Sequence, residues 1–323
     1  TSEFLVNKCS FSPETVSKVV SLVPRLRNAD ESESLLSFLR GNGFSNSQLQ
    51  ELLKSRPKVL TSNLETNVKP KVEYFRDLCI SNEELVDVIL NDPWVLRHSL
   101  NRIICTVSVL KEIVKSDSEV IKLLKKCPWF LSKDLKTTLL PNVEFLMSCG
   151  IQLEQIVRYM YHNPRFFLNP PHVMRNSVDK ADEMGVKRNG KMLIHAARVY
   201  TLSEEKWESK LQTFRNMGFT EADISNAFRR VPVVFLISSG KMVKVKDVLL
   251  ATGKYDVSGI AKYPTILCCS IEKWHKPRIR VLQILESKNL IERWPSISSL
   301  IRMSNKKFAE RYVIPFTESV GNV

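Results

Sequence analysis

Lysine and arginine are the residues whose placement in this sequence points most clearly to a chemistry. The chain of 323 residues holds 48 of them against 34 acidic residues, a formal net charge of +14. Residues 229–280 alone carry 11 basic and 3 acidic residues. Such an excess favours polyanions, because each phosphate that a cation neutralises releases condensed counterions. The charge therefore predicts a nucleic-acid-binding protein with a basic C-terminal half; a basic protein without such a partner is the alternative.

Two sets of these cations recur at fixed places relative to a series of regularly spaced prolines. The first set lies just before a proline and comprises Lys54, Arg56, Lys125, Lys126, Arg229, Arg230 and Lys262. The second set lies in the first turns of the helix predicted after the proline and comprises Lys69, Lys71, Lys210, Lys244, Lys246, Lys276, Arg278 and Arg280. Arg165, Arg198 and Tyr200 complete the candidate contacts. Cations that recur once per repeat could follow a phosphate backbone; alternatively they complement helix dipoles and stay solvated.

Patterns for catalysis or metal binding are absent from the sequence. The five histidines show no ligand spacing with cysteine or carboxylate, and the seven cysteines include no CxxC pair. A disulfide framework is not expected either, and a reducing compartment fits. Residues 41–43 form a lone GxG at a turn, and no GxSxG, HExxH or Walker pattern occurs. We therefore predict neither an enzyme nor a cofactor.

An internal repeat supplies the elements that must position the cations. Its mark is a proline followed by two or three apolar residues, found at Pro57, Pro93, Pro128, Pro164, Pro232 and Pro264. Pro24 and Pro295 extend the series at its ends, and a copy without proline is centred on Arg198. The nine centres are 31 to 36 residues apart. Such regularity is typical of a repeat protein in which neighbouring units share one core.

Each unit is predicted to be a helix, a proline corner and a second helix. In the Pro93 unit, residues 81–84 offer an N-cap and an acidic first turn, and Pro93 ends the helix because it lacks an N–H. Residues 94–96 suffice for one 3₁₀ turn, and a second helix follows from about Leu100 to Lys115. Glycine turns, such as those at Gly43 and Gly218, close the units. The prediction is an all-α solenoid of about nine helix pairs, curved to the right or left, forming one domain over residues 1–323 with degenerate capping units near 1–40 and 285–323.

Aromatic residues near the prolines could stack on exposed bases or pack in the core. The residues concerned are Trp94, Trp129, Tyr159, Tyr161, Phe166 and Phe167. Phe166 and Phe167 occupy the repeat position of Val95 and Leu96, which favours the core. We therefore predict that this group is buried, and that Tyr200, in the copy without proline, is the aromatic residue to be exposed.

The proline-corner repeat resembles that of the mitochondrial transcription termination factor (mTERF) family. A second helix opens near Pro70, Pro141 or Pro277, and the ending Ser304–Phe308 with Tyr312 and Pro315 is also similar to the family pattern. Tetratricopeptide, ankyrin and pentatricopeptide signatures are absent. The resemblance implies a half-doughnut superhelix whose concave basic groove holds double-stranded DNA in an organelle. The copy at Arg198 and the two terminal units depart from the pattern.

The leading hypothesis is a monomeric regulator of organellar transcription that binds double-stranded DNA. The alternatives are an RNA-binding factor for intron splicing or ribosomal RNA maturation, and a protein–protein scaffold. No apolar run approaches the roughly 20 residues needed to span a membrane. The chain begins at Thr1 without methionine, so we expect any targeting (transit) peptide to have been removed or to lie outside the given sequence. The predicted location is the mitochondrion, with the chloroplast as the alternative.

Overall fold

The computed structural model describes residues 1–78 and 81–320, and all regular secondary structure within them is helical. The helices pack into two compact units, Thr1–Pro171 and a second unit that begins at His172. None of the described helices is long and apolar enough to span a membrane. The all-α helical-repeat fold predicted from the sequence is confirmed. The single solenoid domain over residues 1–323 stays a prediction.

Ten helices lie within the first unit, and an eleventh begins at its last residue. The first ten are α1 (Pro13–Leu22), α2 (Ala29–Gly41), α3 (Asn46–Ser55), α4 (Lys69–Asp77), α5 (Asn82–Asn91), α6 (Leu100–Val114), α7 (Asp117–Lys126), α8 (Trp129–Ser132), α9 (Leu139–Ser148) and α10 (Leu153–His162). From the boundary onward follow α11 (Pro171–Glu183), α12 (Leu193–Val199), α13 (Glu204–Asn216), α14 (Glu221–Arg230), α15 (Ser239–Leu250), α16 (Val257–Lys262), α17 (Lys276–Ser287), α18 (Ile297–Arg302), α19 (Asn305–Tyr312) and α20 (Thr317–Val320).

Short 3₁₀ and π turns separate many of these helices. The 3₁₀ turns are Pro57–Thr61, Pro93–Leu96, Pro164–Leu168, Pro232–Leu236, Pro264–Cys268 and Ile314–Phe316. The π turns are Phe4–Lys8, Leu64–Val68 and Ile271–His275. Five of the six predicted proline corners are thus 3₁₀ turns that start at the proline itself. The sixth, after Pro128, closes as the short helix α8.

The Pro93 unit has the predicted form. Ser81 and Glu84 make a capping box at the start of α5, in which Ser81 Oγ accepts the N–H of Glu84 at 3.1 Å. α5 ends at Asn91, the 3₁₀ turn follows, and α6 and α7 begin at Leu100 and Asp117. These boundaries confirm the helix, corner, helix reading.

Three repeat centres differ from the proline corner. Pro24 follows the end of α1 at Leu22, but no 3₁₀ turn lies between α1 and α2. The copy without proline keeps the turn through three successive i→i+3 hydrogen bonds, from the N–H groups of residues 200, 201 and 202. Pro295 precedes α18 and ends no helix, so the corner predicted there is wrong. The backbone geometry of the turn therefore does not depend on proline alone, and a proline at the repeat spacing does not guarantee it.

Glycine turns close four units as predicted. Gly43, Gly150, Gly185 and Gly218 have φ values of 97°, 89°, 81° and 91°, the left-handed region that side chains disfavour. The apolar residue after each glycine is buried, and its N–H bonds back to the preceding helix. The residues that fill this place are Phe44, Ile151, Val186 and Phe219.

Successive repeats stack through like elements. In the first unit α1 packs against α3, α3 against α5 and α5 against α7, all first helices of neighbouring repeats. In the second unit α14 packs against α16, and the second helices α13 and α15 pack together. Because like elements are neighbours, side chains at one repeat position lie on the same side of a unit. This stacking can build a column from residues about 35 positions apart.

The two apolar residues inside each proline turn form the core between the helices. Phe166 and Phe167 are buried, as predicted, and so are Val234 and Phe235 at the equivalent turn of the second unit. Within the described residues, no disulfide joins the cysteines Cys9, Cys105, Cys127, Cys268 and Cys269, and Cys79 lies outside those residues.

Candidate nucleic-acid interface

Three cations at the proline turns of the second unit form the clearest part of the predicted column. Arg229 and Arg230 end α14, Lys262 ends α16, and all three are exposed. Nη1 of Arg230 donates to the backbone carbonyl of Lys262 at 3.3 Å, so equivalent residues of two successive repeats are neighbours. Among the described residues of this unit, the ion pairs involve other cations. Uncompensated positive charge therefore recurs at one place in consecutive repeats.

The side chain of Arg229 is held in position by its neighbours. Its Nη2 donates to Asn226 Oδ1 at 2.7 Å. Its stem lies against the glycine turn between α11 and α12, where a Cβ added to Gly185 would lie 3.2 Å from Arg229 Cδ. Because the guanidinium stays exposed while the stem is packed, part of the entropy cost of binding an anion is met in the folded protein.

The accessible cations of the second set in this unit differ in whether they pair with a carboxylate. Lys244 and Arg280 are exposed and pair with no carboxylate in the described chain. Lys276 pairs with Glu272 at 2.6 Å, and Lys246 lies 3.9 Å from Asp247. Lys244 and Arg280 are therefore the members of this set most available to a phosphate.

Three candidate cations of the first unit are paired with carboxylates. Lys54 bonds to Glu14 at 2.9 Å, Lys69 to Glu65 at 2.9 Å, and Lys125 to Asp87 at 2.7 Å. The hydrogen bond that Lys125 donates to Asp87 raises the pKa of Lys125, and the one that Lys69 donates to Glu65 raises that of Lys69. Exposed pairs of this kind are weak, so a phosphate could replace the carboxylate at small cost. Lys126 is exposed.

Three predicted contacts are buried and belong to the structure of the repeat. Lys71, Lys210 and Arg278 are 3%, 7% and 4% exposed, and burial lowers the pKa of each. Lys71 Nζ donates to the carbonyl of Leu96, and Lys210 Nζ donates to that of Ile237. We therefore remove all three from the candidate interface, because their charged groups already serve the protein's own carbonyls.

Arg278 shows most fully what these buried cations do. Its Nη1 donates to Leu300 O at 2.9 Å, and its Nη2 donates to Met303 O at 2.8 Å. The guanidinium also lies 4.2 Å from the Trp274 ring centroid and 4.8 Å from that of Phe308. The side chain thus ties α17 to the end of α18, where the Leu300 carbonyl also accepts the N–H of Met303 at 3.3 Å.

The same clamp recurs with other residue types, which the sequence analysis missed. Ser32, Arg102, Asn142 and Lys241 each donate to a carbonyl in the next proline turn, at 2.7–2.9 Å. All four lie on second helices, as do Lys71, Lys210 and Arg278. A polar residue on the apolar stripe of a second helix is the sequence signal for this contact.

Three aromatic residues differ from their predicted environments. Trp94 and Trp129 are 46% and 50% exposed, because the residue directly after the proline points away while the next two fill the core. Tyr200 is half-buried, with its ring 5.1 Å from Trp207 and 5.5 Å from Phe228. Burial raises the pKa of Tyr200 to about 12. The predictions for these three residues were wrong: the two tryptophans are exposed, and Tyr200 is half-buried.

The remaining candidates lie near the proline turns. Arg165 is exposed, with its guanidinium 4.8 Å from the Trp129 centroid. Arg56 is partly exposed over Trp94. Arg198 is partly buried in the last turn of α12. Within the described chain, no group of His, Cys, Asp and Glu side chains is arranged to hold a metal ion.

The chain belongs to the mTERF family, whose family model matches residues 7–309. One relative is the chloroplastic transcription termination factor MTERF8 of Arabidopsis thaliana, 21% identical over 287 residues, or 88% of this chain and 55% of the relative. Another is the mitochondrial transcription termination factor MTEF18 of the same plant, 21% identical over 300 residues, or 83% of this chain and 52% of the relative. The chain thus spans about half the length of these two relatives. Neither name is that of an enzyme.

Proposed function

We propose that this chain is a nucleic-acid-binding regulator of organellar gene expression that binds double-stranded DNA as a monomer, through backbone phosphates. The exposed cations of the second unit, Arg229, Arg230, Lys244, Lys262 and Arg280, make the contacts. The observation that carries the proposal is the adjacency of Arg230 and Lys262, which sets unpaired cations side by side in consecutive repeats. Phosphate contacts of this kind position a protein on a duplex without reading its sequence.

The relatives support the regulatory part of the proposal. Both are named transcription termination factors, one chloroplastic and one mitochondrial. A protein held on a duplex can obstruct a polymerase, which would serve termination or pausing. For the organelle we propose the mitochondrion, with the chloroplast as the alternative, and imaging of the full-length protein fused to a fluorescent reporter decides between them.

Replacing Arg229 and Arg230 together by alanine is expected to weaken duplex binding to a similar degree for all sequences. Two phosphate contacts would be lost, and each contributes about 0.9 to the slope of log K against log salt concentration. The slope of the Arg229→Ala/Arg230→Ala variant should therefore be shallower by about 1.8 than that of the unsubstituted chain. Fluorescence anisotropy titrations at several salt concentrations measure it.

The matched control removes the same charge from the same unit. Arg188 is paired with Asp179 and Asp182, and Arg215 with Glu208 and Glu221. The Arg188→Ala/Arg215→Ala variant should keep the original slope. If both double variants had equally shallow slopes, net charge and not this column would attract the nucleic acid.

A further inference from the structure

The residue that directly follows the repeat proline forms a second surface in the first unit. In four consecutive repeats this residue is Lys58, Trp94, Trp129 and Arg165, and all four are exposed. These residues belong neither to the core nor to the carbonyl clamps, because the next two residues of each turn fill the interior. Two indoles flanked by two cations thus lie at equivalent places of neighbouring repeats.

Guanidinium groups accompany both indoles. The Arg56 guanidinium lies over the Trp94 ring, and that of Arg97 is 5.3 Å from its centroid. Arg165 is 4.8 Å from the Trp129 centroid. Arg56 comes from the repeat before Trp94, and Arg165 from the repeat after Trp129, so these contacts link neighbouring repeats. Nearly half of each indole nevertheless remains exposed.

A cleft of about 360 Å³ beside Trp94 concentrates positive charge. Arg56, Lys58 and Arg97 line it together with the polar side chains of Ser62 and Asn67. Nη2 of Arg56 is buried and makes no hydrogen bond within the described chain. Desolvation and the charge of Arg97 lower the pKa of Arg56, which indicates that the two cations repel each other.

The nearby carboxylate of Asp92 offsets part of that charge. Asp92 is buried, its Oδ1 accepts the N–H of Trp94 at 3.1 Å, and burial raises its pKa. An anion in the cleft would give Arg56 Nη2 an acceptor and relieve the repulsion between the arginines. A phosphate group has the charge and the several acceptor oxygens for this.

We propose that the proline turns of the first unit bind a single-stranded nucleic acid. Bases stack on Trp94 and Trp129, and a backbone phosphate occupies the cleft between Arg56 and Arg97. A duplex does not fit this role, because its bases are already paired and stacked on one another. Aromatic platforms interleaved with cations are the usual means of holding a single strand. The inference rests on the proposed function and adds to it a second nucleic-acid form, bound at a different surface.

The test compares short oligo(U), oligo(dT) and a blunt duplex by fluorescence anisotropy, using the full chain. The Trp94→Leu/Trp129→Leu variant is expected to bind both single strands at least about ten-fold more weakly, since each stacked base contributes substantially. Its duplex affinity should not change. The Trp94→Tyr/Trp129→Tyr variant keeps aromatic faces and should recover most of the affinity. Tighter binding of oligo(U) would identify RNA as the preferred strand, and tighter binding of oligo(dT) would identify DNA.

Control variants separate stacking from a purely structural role of the indoles. Met147 is 46% exposed in the same unit, and Met147→Ala should leave single-strand binding unaltered. Full single-strand affinity in the Trp94→Leu/Trp129→Leu variant would overturn the inference while leaving the duplex proposal intact. Conversely, a duplex slope insensitive to Arg229→Ala/Arg230→Ala, together with indole-dependent single-strand binding, would reject the duplex proposal and retain this inference.

Discussion

Replacing Phe235 by alanine is expected to lower the free energy of unfolding by about 3–5 kcal/mol, the usual cost of emptying a phenylalanine site in a core. Phe235 is fully buried in the Pro232 turn. Its ring centroid lies 4.7 Å from that of Phe214, 5.3 Å from Phe228 and 5.4 Å from Trp207. These partners lie on α13 and α14, so one side chain joins the proline turn to two helices. Urea denaturation followed by circular dichroism measures the change.

A substitution in the same turn provides the comparison. Val233 is only partly buried, and Val233→Ala should cost less than about 1.5 kcal/mol because fewer contacts are lost. If Phe235→Ala cost no more than Val233→Ala, the proline turn would not be the packing centre described here.

The second large effect is expected from Arg278, which the sequence analysis placed at the nucleic-acid interface. Arg278→Met keeps the aliphatic stem but leaves the carbonyl of Met303 without this donor, while that of Leu300 keeps only the N–H of Met303 at 3.3 Å. A buried acceptor left without its donor costs about 1–3 kcal/mol, so we expect a loss of about 1–3 kcal/mol in unfolding free energy. The loss should be felt by the C-terminal cluster of Leu282, Leu285, Leu300, Phe308 and Tyr312.

Arg280 is the matched control, because it lies two residues further on and is exposed. Arg280→Ala should change stability by less than about 0.5 kcal/mol and should weaken duplex binding instead. The two variants should therefore differ: Arg278→Met loses stability, and Arg280→Ala loses affinity for the duplex. An Arg278→Met protein of full stability with weakened binding would restore Arg278 to the interface.

The repeat was predictable because backbone chemistry imposes it. A proline that ends a helix, two apolar residues that fill the core and a glycine that needs a positive φ each leave a mark at a fixed spacing. Pro93 and Gly218 show this directly, since the turn and the helix end lie where the sequence puts them. The corner predicted at Pro295 is absent because that proline precedes a helix and does not end one.

The site was predictable only in part, because the cations of the second set were grouped by distance from the proline. Residues two apart on a helix point about 200° apart, so Lys69 and Lys71 face opposite ways. Val68 and Phe75, three before and four after Lys71, are buried, which already places Lys71 on the core stripe. His275 and Leu282 stand in the same relation to Arg278. Helical periodicity, applied to charged residues as well as apolar ones, would have identified both clamps.

The exposed indoles could also have been found from the sequence. Trp94 and Trp129 share their repeat position with Lys58 and Arg165, and a position that accepts lysine and arginine is a surface position. Tyr200 lacked such a guide, because the missing proline in its copy blurs the alignment with the other turns. The sequence pattern did not predict which side chains contact each other, such as Arg56 and Trp94, because those contacts depend on how two repeats stack.

Phosphate-mediated binding of nucleic acid is the central claim, and a competition titration tests it most directly. The full chain, bound to labelled duplex DNA, is titrated at two salt concentrations with unlabelled duplex DNA, single-stranded RNA and structured RNA. We predict that duplex DNA displaces the label best and that affinity falls with a slope of about −0.9 for each phosphate contacted. Structured RNA winning the competition would contradict the choice of duplex DNA. Salt-insensitive binding, or no binding to any of the three, would contradict the claim itself and favour a protein–protein scaffold.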